Sequence, residues 1–487
     1  MAKITFIGAG SIVFAKTIMM DIMATPELQD SEICLMNRGK PKLDRIKAFA
    51  DRVVRDNNLP TKVTATLDAR EAMDGADYVV FMFDTGGLAA YEHEYKIPLK
   101  YGVDQCIGDT LGPGGVFRAL RTIPVVVNYA KMMEELCPHA LLLNYVNPMA
   151  AVCYALGQTT KVSFVGLCHG VQTTIDLIAH ILGEKKEDLD YLAAGINHMA
   201  WFLKIEKNGV DMYPRLWKRI ERPEVYKIEK VRCETMRHFG YFMTESTGHL
   251  SEYLPYFRKN KKALDTYCDE PAFGGESGAY YKFAKALARK FRNVDPLEFE
   301  STALPPPSAE YCTHIIKARE TGVPFRFNGN VRNDGLITNL TQGCCVEVPC
   351  FVDKMGIYPT HIGDLPPQCA ALNQTNVTVQ GLAVQAALTG DPELAFAACA
   401  LDPLTSAVCT LYEIREMTRE MLRKLAPWLP QFKGRTLAPR KPVRVTKRTK
   451  GIEAPLDPAL AIGNRFAQLA EMKTTRRKSA RKPKAGN

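Results

Sequence analysis

Short apolar runs alternate with amphipathic segments through the first third of the chain. The run KITFI at residues 3–7 is rich in β-branched and aromatic residues and is followed at once by glycine, a pattern typical of a buried parallel strand that enters a tight turn. Apolar positions at helical spacing follow through residues 19–23 and again over residues 42–55. These patterns predict strands at residues 3–7, 32–36, 63–67, 78–83, 141–146 and 163–167, with a further helix at 131–136. Such alternation predicts an α/β fold with a doubly wound sheet.

The first strand ends in Gly8-Ala9-Gly10-Ser11, which leads into a helix. In dinucleotide-binding folds of the Rossmann type, the first glycine permits a tight turn and the second lets the backbone approach the pyrophosphate, which then faces the helix N-terminus. Val13 stands where the complete fingerprint has a third glycine or alanine, so an ordinary strand–helix turn is the alternative. We predict that Gly8, Gly10 and Ser11 bind a dinucleotide.

The end of the second strand bears on the choice of cofactor. An acidic residue normally binds the adenosine ribose there, but this chain has Asn37 followed by Arg38. A neutral residue beside a cation admits a 2′-phosphate, whereas a solvated Arg38 without a ligand is the alternative. We therefore predict that Asn37 and Arg38 contact the cofactor, that the cofactor is NAD, and that NADP is not excluded.

The pattern of hydrophobic and polar residues changes twice after these strands. Longer helical segments appear beyond residue 195, at residues 280–291, 377–388 and 392–400, together with a short strand at 345–350 and a loop at the prolines 305–307. From residue 434 the chain is rich in Lys, Arg and Pro. We predict a Rossmann-type domain over 1–195, an α+β domain for substrate binding and oligomerisation over 196–433, and a disordered basic tail over 434–487.

Composition and charge narrow the class of protein. The chain has 487 residues and a net charge of +10, but residues 440–487 carry 14 Lys and Arg against 3 Asp and Glu, so the rest is near neutral. The charge therefore belongs to the tail, and nucleic-acid binding is disfavoured because aromatic residues are scarce there. No apolar run is long enough to span a membrane and no signal peptide opens the chain, so we expect a cytoplasmic protein whose 14 cysteines are reduced.

Cys168 and His198 are the candidate metal ligands. Cys168 follows a predicted parallel strand, where open α/β sheets bind their ligands, and His198 follows 30 residues later at another strand or turn end. One thiolate and one imidazole are too few for a closed structural site, but they suit a divalent metal whose remaining positions take substrate oxygens. Two buried core residues, or a nucleophilic Cys–His pair, are the alternatives.

Several longer phrases resemble glycoside hydrolase family four, whose members depend on NAD and a divalent metal. The phrases are KITFIGAGS (3–11), DTLGPGG (109–115), RALRTIP (118–124), LNYVNPMA (143–150), VGLCHG (165–170), AGINHMAW (194–201), TESTGHLSEYLPYF (244–257), GNVRNDGLI (329–337) and QGCCVEVPC (342–350). The match as a whole runs from residue 3 to about residue 430, and this set of phrases is most similar to the α-galactosidase branch.

The resemblance implies a glycosidase that works by transient oxidation. NAD accepts hydride from C3 of the sugar, the proton on C2 becomes acidic and is removed, the glycosidic oxygen leaves C1, and water adds before the hydride returns. By the same resemblance, Cys168 and His198 hold Mn2+ or another divalent metal. Asn144 contacts the cofactor, and Asn147 binds substrate, with a turn role before Pro148 as its alternative.

The resemblance also implies the groups that move protons. Tyr253 is the match for the base that removes the C2 proton, with His249 and Glu252 as competitors, and it would need a lowered pKa. Asp109 is expected to help protonate the leaving group. His169, which follows Cys168 directly, is typical of the branch that acts on unphosphorylated sugars and is expected to donate to the sugar or the leaving group.

Two kinds of alternative stay open. Within the family, the sugar-acid enzymes α-galacturonidase and α-glucuronidase, and α-glucosidase, share much of the motif set, and Arg258, Lys259 and Arg332 would face a sugar carboxylate if they line the pocket. Outside it, the rival is a simple NAD(P)-dependent dehydrogenase on the related lactate and malate dehydrogenase scaffold. We expect a small α-linked oligosaccharide as substrate, no membrane, and a homodimer or homotetramer.

Overall fold

Six parallel strands form the first half of one sheet in the computed structural model, which describes residues 1–11, 14–292, 294–306, 308–452 and 458–479. The strands lie in the order β3-β2-β1-β4-β5-β6. This order is that of a Rossmann fold, so the predicted α/β class and doubly wound sheet are confirmed. The strands are β1 (Lys3–Ile7), β2 (Glu32–Met36), β3 (Lys62–Thr66), β4 (Tyr78–Phe81), β5 (Leu141–Asn144) and β6 (Ser163–Gly166).

The register aligns the carboxyl ends of these strands. Ile7 lies opposite Met36 on one side and Phe81 on the other, Phe81 pairs with Asn144, and Asn144 pairs with Gly166. The loops that leave the strands at residues 8, 37, 82, 145 and 167 therefore meet at one edge of the sheet, where open α/β sheets bind ligands.

Helices cover the parallel half of the sheet. Helix α2 shows why they form, because Leu43, Ile46, Phe49 and Val53 make one buried stripe at helical spacing. The predicted helix at 131–136 is the end of a much longer one, since the buried Arg118 and Arg121 interrupt its apolar pattern. The helices are α1 (Phe14–Ala24), α2 (Lys40–Asp56), α3 (Ala69–Met73), α4 (Gly87–Lys100), α5 (Gly112–Leu136), α6 (Met149–Thr159) and α7 (Gly170–Leu182).

Antiparallel strands extend the same sheet beyond β6. They are β7 (Asp190–Ile196), β8 (Met199–Lys207), β9 (Val210–Asp211), β10 (Phe325–Arg332), β11 (Cys345–Asp353) and β12 (Gly356–Pro359). The order continues β6-β10-β11-β7-β8-β9, with β12 on β11. The two predicted domains thus share one sheet, and Met1–Arg440 forms one compact unit. The boundary near residue 195 stays a prediction.

The remaining helices of this unit pack around the antiparallel strands and on the helices of the first half. Helix α15 packs against α5, α6 and α16 and so joins the two halves. These helices are α8 (Tyr213–Ile220), α9 (Pro223–Ile228), α10 (Lys230–Phe239), α11 (Thr247–Tyr253), α12 (Lys261–Tyr267), α13 (Ala279–Lys290), α14 (Tyr311–Thr321), α15 (Pro367–Thr389), α16 (Pro392–Leu401), α17 (Pro403–Val408) and α18 (Leu411–Lys424).

The tail differs from the predicted disorder in two places. Residues 434–440 belong to the compact unit, where Leu437 is buried and Arg415 donates to the Ala438 carbonyl at 3.1 Å. Residues 441–487 form a second unit that contains helix α19 (Pro458–Ser479), and alanine and leucine in this segment favour a helix. The disorder predicted for residues 453–457 and 480–487 lies outside the described residues.

Two general expectations concern cysteines and membranes. All 14 cysteines lie in described segments and are free, 13 of them buried, which agrees with the reduced thiols predicted. Among the described residues, no helix has the length and apolar character needed to cross a membrane.

Candidate active site

The loop after β1 is shaped for close approach of a ligand. Gly8 has φ +96°, and a Cβ there would lie 2.7 Å from the Phe83 Cβ, so only glycine fits. The Gly8 amide donates to the Met36 carbonyl at 2.9 Å, which ties the loop to the end of β2. A Cβ at Gly10 would lie 2.9 Å from the Asn37 Oδ1. These two bare backbone positions fit the pyrophosphate of a dinucleotide; Val13 lies outside the described residues.

A crevice beside this loop brings together three of the predicted cofactor residues, Gly8, Asn37 and Arg38. It has a volume of about 110 Å³ and opens where β1, β2 and β4 end. Its described lining residues are Ile7, Gly8, Met36, Asn37, Arg38, Phe83, Asp84, Thr85 and Tyr129. Asn144, in contrast, is fully buried, and its side-chain amide bonds to Val146 and Met149. Asn144 therefore shapes the loop after β5, and its contact with a cofactor stays a prediction.

Cys168, His198 and Glu245 form a candidate metal centre. Their ligand atoms all lie within 4.8 Å of one another. The Cys168 Sγ is 3.7 Å from the Glu245 Oε1, and the His198 Nε2 is 3.9 Å from the same oxygen. Thiolate, imidazole and carboxylate together suit a divalent transition metal, with positions left for substrate oxygens. The residues therefore fit the predicted metal, and Glu245 is a further candidate ligand that sequence analysis missed although it lies in the phrase TESTGHLSEYLPYF.

Two of these residues have unusual backbone conformations. His198, in the turn between β7 and β8, has φ +61°, and Glu245, just before α11, has φ +76°. Left-handed conformations cost free energy in residues other than glycine and tend to occur at functional sites. The turn and the loop thus aim both side chains toward Cys168, at the end of β6.

The protonation of the centre follows from its burial. Burial, and then His249, lowers the pKa of His198 to about 4, which leaves a neutral imidazole able to bind a metal. Burial raises the pKa of the Cys168 thiol well above its usual value. Burial alone would raise the pKa of Glu245. The neighbouring His198, His249 and Arg232 outweigh this effect, so the pKa of Glu245 is lowered. Cys168 therefore needs a nearby cation to ionise.

Tyr253 lies directly behind the metal centre. Its Oη is 2.9 Å from the His198 Nδ1 and forms a short hydrogen bond with the Thr110 Oγ1. A partner on Nδ1 orients the other ring nitrogen toward the metal. Burial, and then Asp109, raises the pKa of Tyr253 well above its usual value, opposite to the shift that a base needs. Its role as the base for the C2 proton stays a prediction.

Of the competing bases, His249 fits the site and Glu252 does not. Glu252 accepts hydrogen bonds from the amides of Ile107 and Gly108, so it holds the loop that carries Asp109. The His249 ring centroid lies 4.4 Å from that of His198, and the buried His249 Nδ1 has no hydrogen-bond partner among the described residues. His249 therefore has a nitrogen to offer a ligand.

Asp109 and Asn147 form a polar pair. The Asn147 Nδ2 donates to the Asp109 Oδ2 at 3.2 Å, and its Oδ1 accepts from the Met149 amide. Asp109 is 5% exposed and lies beside Thr110, which contacts Tyr253. The structure thus brings the predicted acid Asp109 and the predicted substrate residue Asn147 close to the predicted base.

His169 follows Cys168 in the chain and contacts Glu310 and the ring of Phe14. Its Nε2 forms a short hydrogen bond with Glu310, which raises the pKa of the imidazole, and Glu310 also accepts from the Tyr145 Oη at 3.1 Å. The ring of Phe14, the first described residue after the dinucleotide loop, lies 6.0 Å from that of His169. Glu310 is a second residue that sequence analysis missed, and nothing near it in the chain marked it.

Two buried arginines lie beside Asp84, which lines the crevice. Arg121 binds both oxygens of Glu94, at 2.6 and 2.9 Å, and also Asp84. Arg118 lies 3.6 Å from Asp84, and its Nε has no described partner. The phrase RALRTIP contains both arginines, but sequence analysis assigned them no role.

A dinucleotide crevice and a thiolate–imidazole–carboxylate centre at one edge of a doubly wound sheet define an enzyme that joins nicotinamide chemistry to a divalent metal. The sequence profile described as "Family 4 glycosyl hydrolase" matches residues 3–184, and that described as "Family 4 glycosyl hydrolase C-terminal domain" matches residues 193–405. The chain belongs to the family 4 glycosyl hydrolases.

Relatives cover almost the whole chain. It is 42% identical over 438 residues to an alpha-galactosidase of Rhizobium meliloti, with 88% of this chain and 89% of that protein covered. It is 38% identical over 441 residues to an alpha-galactosidase of Bacillus subtilis, with 89% and 100% covered. The 6-phospho-beta glucosidase from Thermotoga maritima, solved with manganese, NAD+ and glucose-6-phosphate, has a similar fold, with a TM-score of 0.70, 23% identity, and 88% and 99% covered.

Proposed function

We propose that this protein hydrolyses an unphosphorylated α-galactoside with the help of NAD and Mn2+. The observation that carries the proposal is the Cys168–His198–Glu245 centre beside a dinucleotide crevice. The identity to two alpha-galactosidases along most of the chain supports the choice of sugar.

The chain's own residues would hold both groups. Gly8, Gly10 and Ser11 bind the dinucleotide, and Cys168, His198 and Glu245 bind the metal. When bound, the dinucleotide supplies a hydride acceptor for C3 of the sugar, and the cation supplies positive charge near the oxygens on C2 and C3.

Side chains around the candidate metal centre transfer the protons in this proposal. Asn147 binds a sugar hydroxyl through its amide, and the adjacent Asp109 gives a proton to the departing glycosidic oxygen. Tyr253 takes the proton from C2, with His249 as the alternative because its buried Nδ1 is free of other described partners. His169, held by Glu310, donates a hydrogen bond to the sugar or the leaving group.

The surrounding charges favour a neutral sugar. Arg258 is buried and bound to Asp104 and to the Gly275 carbonyl, and Arg332 is bound to Asp334 and to the Gly157 carbonyl. Neither guanidinium is free to pair with a sugar carboxylate, and Lys259 is exposed. These contacts favour a galactoside over a galacturonide, and His169 after Cys168 supports an unphosphorylated substrate.

Hydrolysis of nitrophenyl α-galactoside, α-glucoside and α-galacturonide tests the proposal, each with and without NAD, Mn2+ and thiol. We expect the α-galactoside to react fastest, without net formation of NADH. Activity that survives cofactor stripping and chelation would contradict the proposal. Net NADH production with substrate would favour the dehydrogenase alternative.

The partners follow from the same proposal. We propose a small α-linked oligosaccharide as substrate, a cytoplasmic location, and a homodimer or homotetramer, which light scattering on the purified protein would test. The basic tail lies beyond residue 405, where the match to the family profiles ends, and nucleic-acid binding by it is disfavoured.

A further inference from the structure

The crevice lacks the carboxylate that binds an unphosphorylated adenosine ribose. Asn37 stands at the end of β2, where NAD-binding folds place an acid that accepts from the ribose hydroxyls. Its Nδ2 donates to the Gly39 carbonyl at 3.0 Å, and its Oδ1 lies against Gly10. The neutral amide is therefore fixed between the dinucleotide loop and the β2–α2 turn. Unlike an aspartate, it does not repel a phosphate.

Arg38 supplies a cation with nothing else to bind. It lines the crevice, is exposed, and has no hydrogen bond or ion pair with any described residue. Lys40, two residues on, is already paired with Asp44 at 2.8 Å. A free guanidinium binds phosphate oxygens in pairs, which makes arginine the usual partner of a phosphate.

The start of helix α2 adds to this positive potential. No acidic residue lies in its first turn, and its N-cap, Gly39, has no side chain to offset the partial positive charge of the helix end. Lys42 in the same turn is exposed. The partial positive charge of the helix end thus faces the turn that carries Arg38.

The acidic side chain that does line the crevice is already neutralised. Among the described lining residues this is Asp84, which pairs with Arg121 and accepts from the Gly86 amide at 3.2 Å. Arg118 lies 3.6 Å from its other oxygen. No unpaired carboxylate of the described lining therefore opposes a second phosphate.

We propose that the crevice binds NADP+ at least as tightly as NAD+, and that Arg38 holds the 2′-phosphate of the adenosine ribose. The inference rests on the proposed function, because it specifies which dinucleotide the same crevice takes.

Calorimetric titration of full-length protein, freed of bound nucleotide and metal, with NAD+ and NADP+ tests the proposal without an activity assay. Arg38→Gln should weaken NADP+ binding by about tenfold or more and NAD+ binding by less than about threefold, since one charged hydrogen-bonding partner is lost. Asn37→Asp should shift the preference toward NAD+ by about tenfold or more. Arg55→Gln is the matched control, because it removes an arginine about 20 Å away along α2 and should change neither affinity.

The outcomes separate the two claims. Equal or tighter binding of NADP+, lost selectively in Arg38→Gln, supports the inference. Tight NAD+ binding with weaker NADP+ binding overturns it but leaves the proposed function intact. An equal loss of both dinucleotides in Arg38→Gln also overturns it. Wild-type protein that binds neither dinucleotide contradicts the proposed function itself.

Discussion

The dinucleotide crevice and the metal centre lie at the same edge of the sheet but are built differently. The crevice is made largely of backbone where β1, β2 and β4 end, with glycines at residues 8 and 10 close to Phe83 and Asn37. The metal centre is made by single side-chain atoms of Cys168, His198 and Glu245, which come from three distant elements. Dinucleotide binding in the crevice therefore depends on the space that the glycines leave open, whereas metal binding depends on individual ligand atoms.

The largest expected effect is at the metal centre. Glu245→Gln keeps the size of the side chain but removes its charge, so Mn2+ affinity should fall by at least about 100-fold, or about 2.7 kcal/mol, while dinucleotide affinity is unchanged. Titration calorimetry measures both. Glu224→Gln, at an exposed glutamate, is the control. Wild-type Mn2+ affinity in Glu245→Gln would remove Glu245 from the centre.

In the crevice, a larger side chain at a glycine position should weaken dinucleotide binding. Gly8→Ala places a methyl group 2.7 Å from the Phe83 Cβ at φ +96°, so dinucleotide affinity should fall by about 30-fold, which is about 2 kcal/mol, with Mn2+ affinity retained. Gly75→Ala is a matched control, because Gly75 also has positive φ, at +63°, but meets nothing within 4 Å. If both variants bind dinucleotide like the wild type, the loop is not the binding site.

A smaller effect is expected where a side chain acts through a ligand. Tyr253→Phe removes the 2.9 Å contact to the His198 Nδ1, so Mn2+ affinity should fall by about tenfold. Metal titration at constant pH measures this directly. An unchanged affinity together with lost turnover would instead assign Tyr253 to proton transfer alone.

The smallest effect compares one carboxyl from each region, the buried Glu347 near Glu245 and Asp84 in the crevice, whose side chain is 36% exposed. Burial, and then Glu245, raises the pKa of Glu347 to about 8, whereas Arg118 and Arg121 outweigh burial and lower that of Asp84. Between about pH 4.5 and 8, Glu347 is ionised in the unfolded chain but protonated in the folded one. Its contribution to stability is therefore lost as pH rises, by up to about 1.4 kcal/mol per unit.

Urea unfolding of metal-free protein at pH 6.5 and 7.5 checks this sign. The wild type should lose about 1 kcal/mol more than Glu347→Gln over this interval. The stabilisation from Asp84 is present above its unfolded pKa and is lost only in acid, so Asp84→Asn should be less stable by the same amount at both pH values. Identical pH slopes for the wild type and Glu347→Gln would mean that Glu347 is ionised in the folded protein.

The strands of the parallel half of the sheet could be predicted because the signal for each strand lies in its own consecutive residues. Buried parallel strands are continuous apolar runs, so β1, β2, β5 and β6 appear within two residues of their predicted limits. Helix α5 was underestimated because buried arginines paired with Asp84 and Glu94 break its pattern. Helix α19 was missed because the basic residues around it drew the prediction of disorder.

Residues of the candidate site could be predicted only where the neighbouring residues in the chain form a recognisable pattern. Gly8 and Gly10 follow a strand, and Cys168 follows another, so each can be located from neighbouring residues. Glu245 reaches the candidate metal centre because its loop, in which Glu245 has a left-handed conformation, turns it toward Cys168 from a distant part of the chain. No spacing rule connects such positions.

The central claim is that the crevice and the metal centre act on one sugar ring. Hydrolysis of an α-galactoside in D2O, followed by NMR of the released galactose, tests it most directly. If a proton leaves C2 while C3 is oxidised, the product should carry deuterium at C2, and both turnover and labelling should require dinucleotide and metal together. Galactose released with only protium at C2 would contradict the claim.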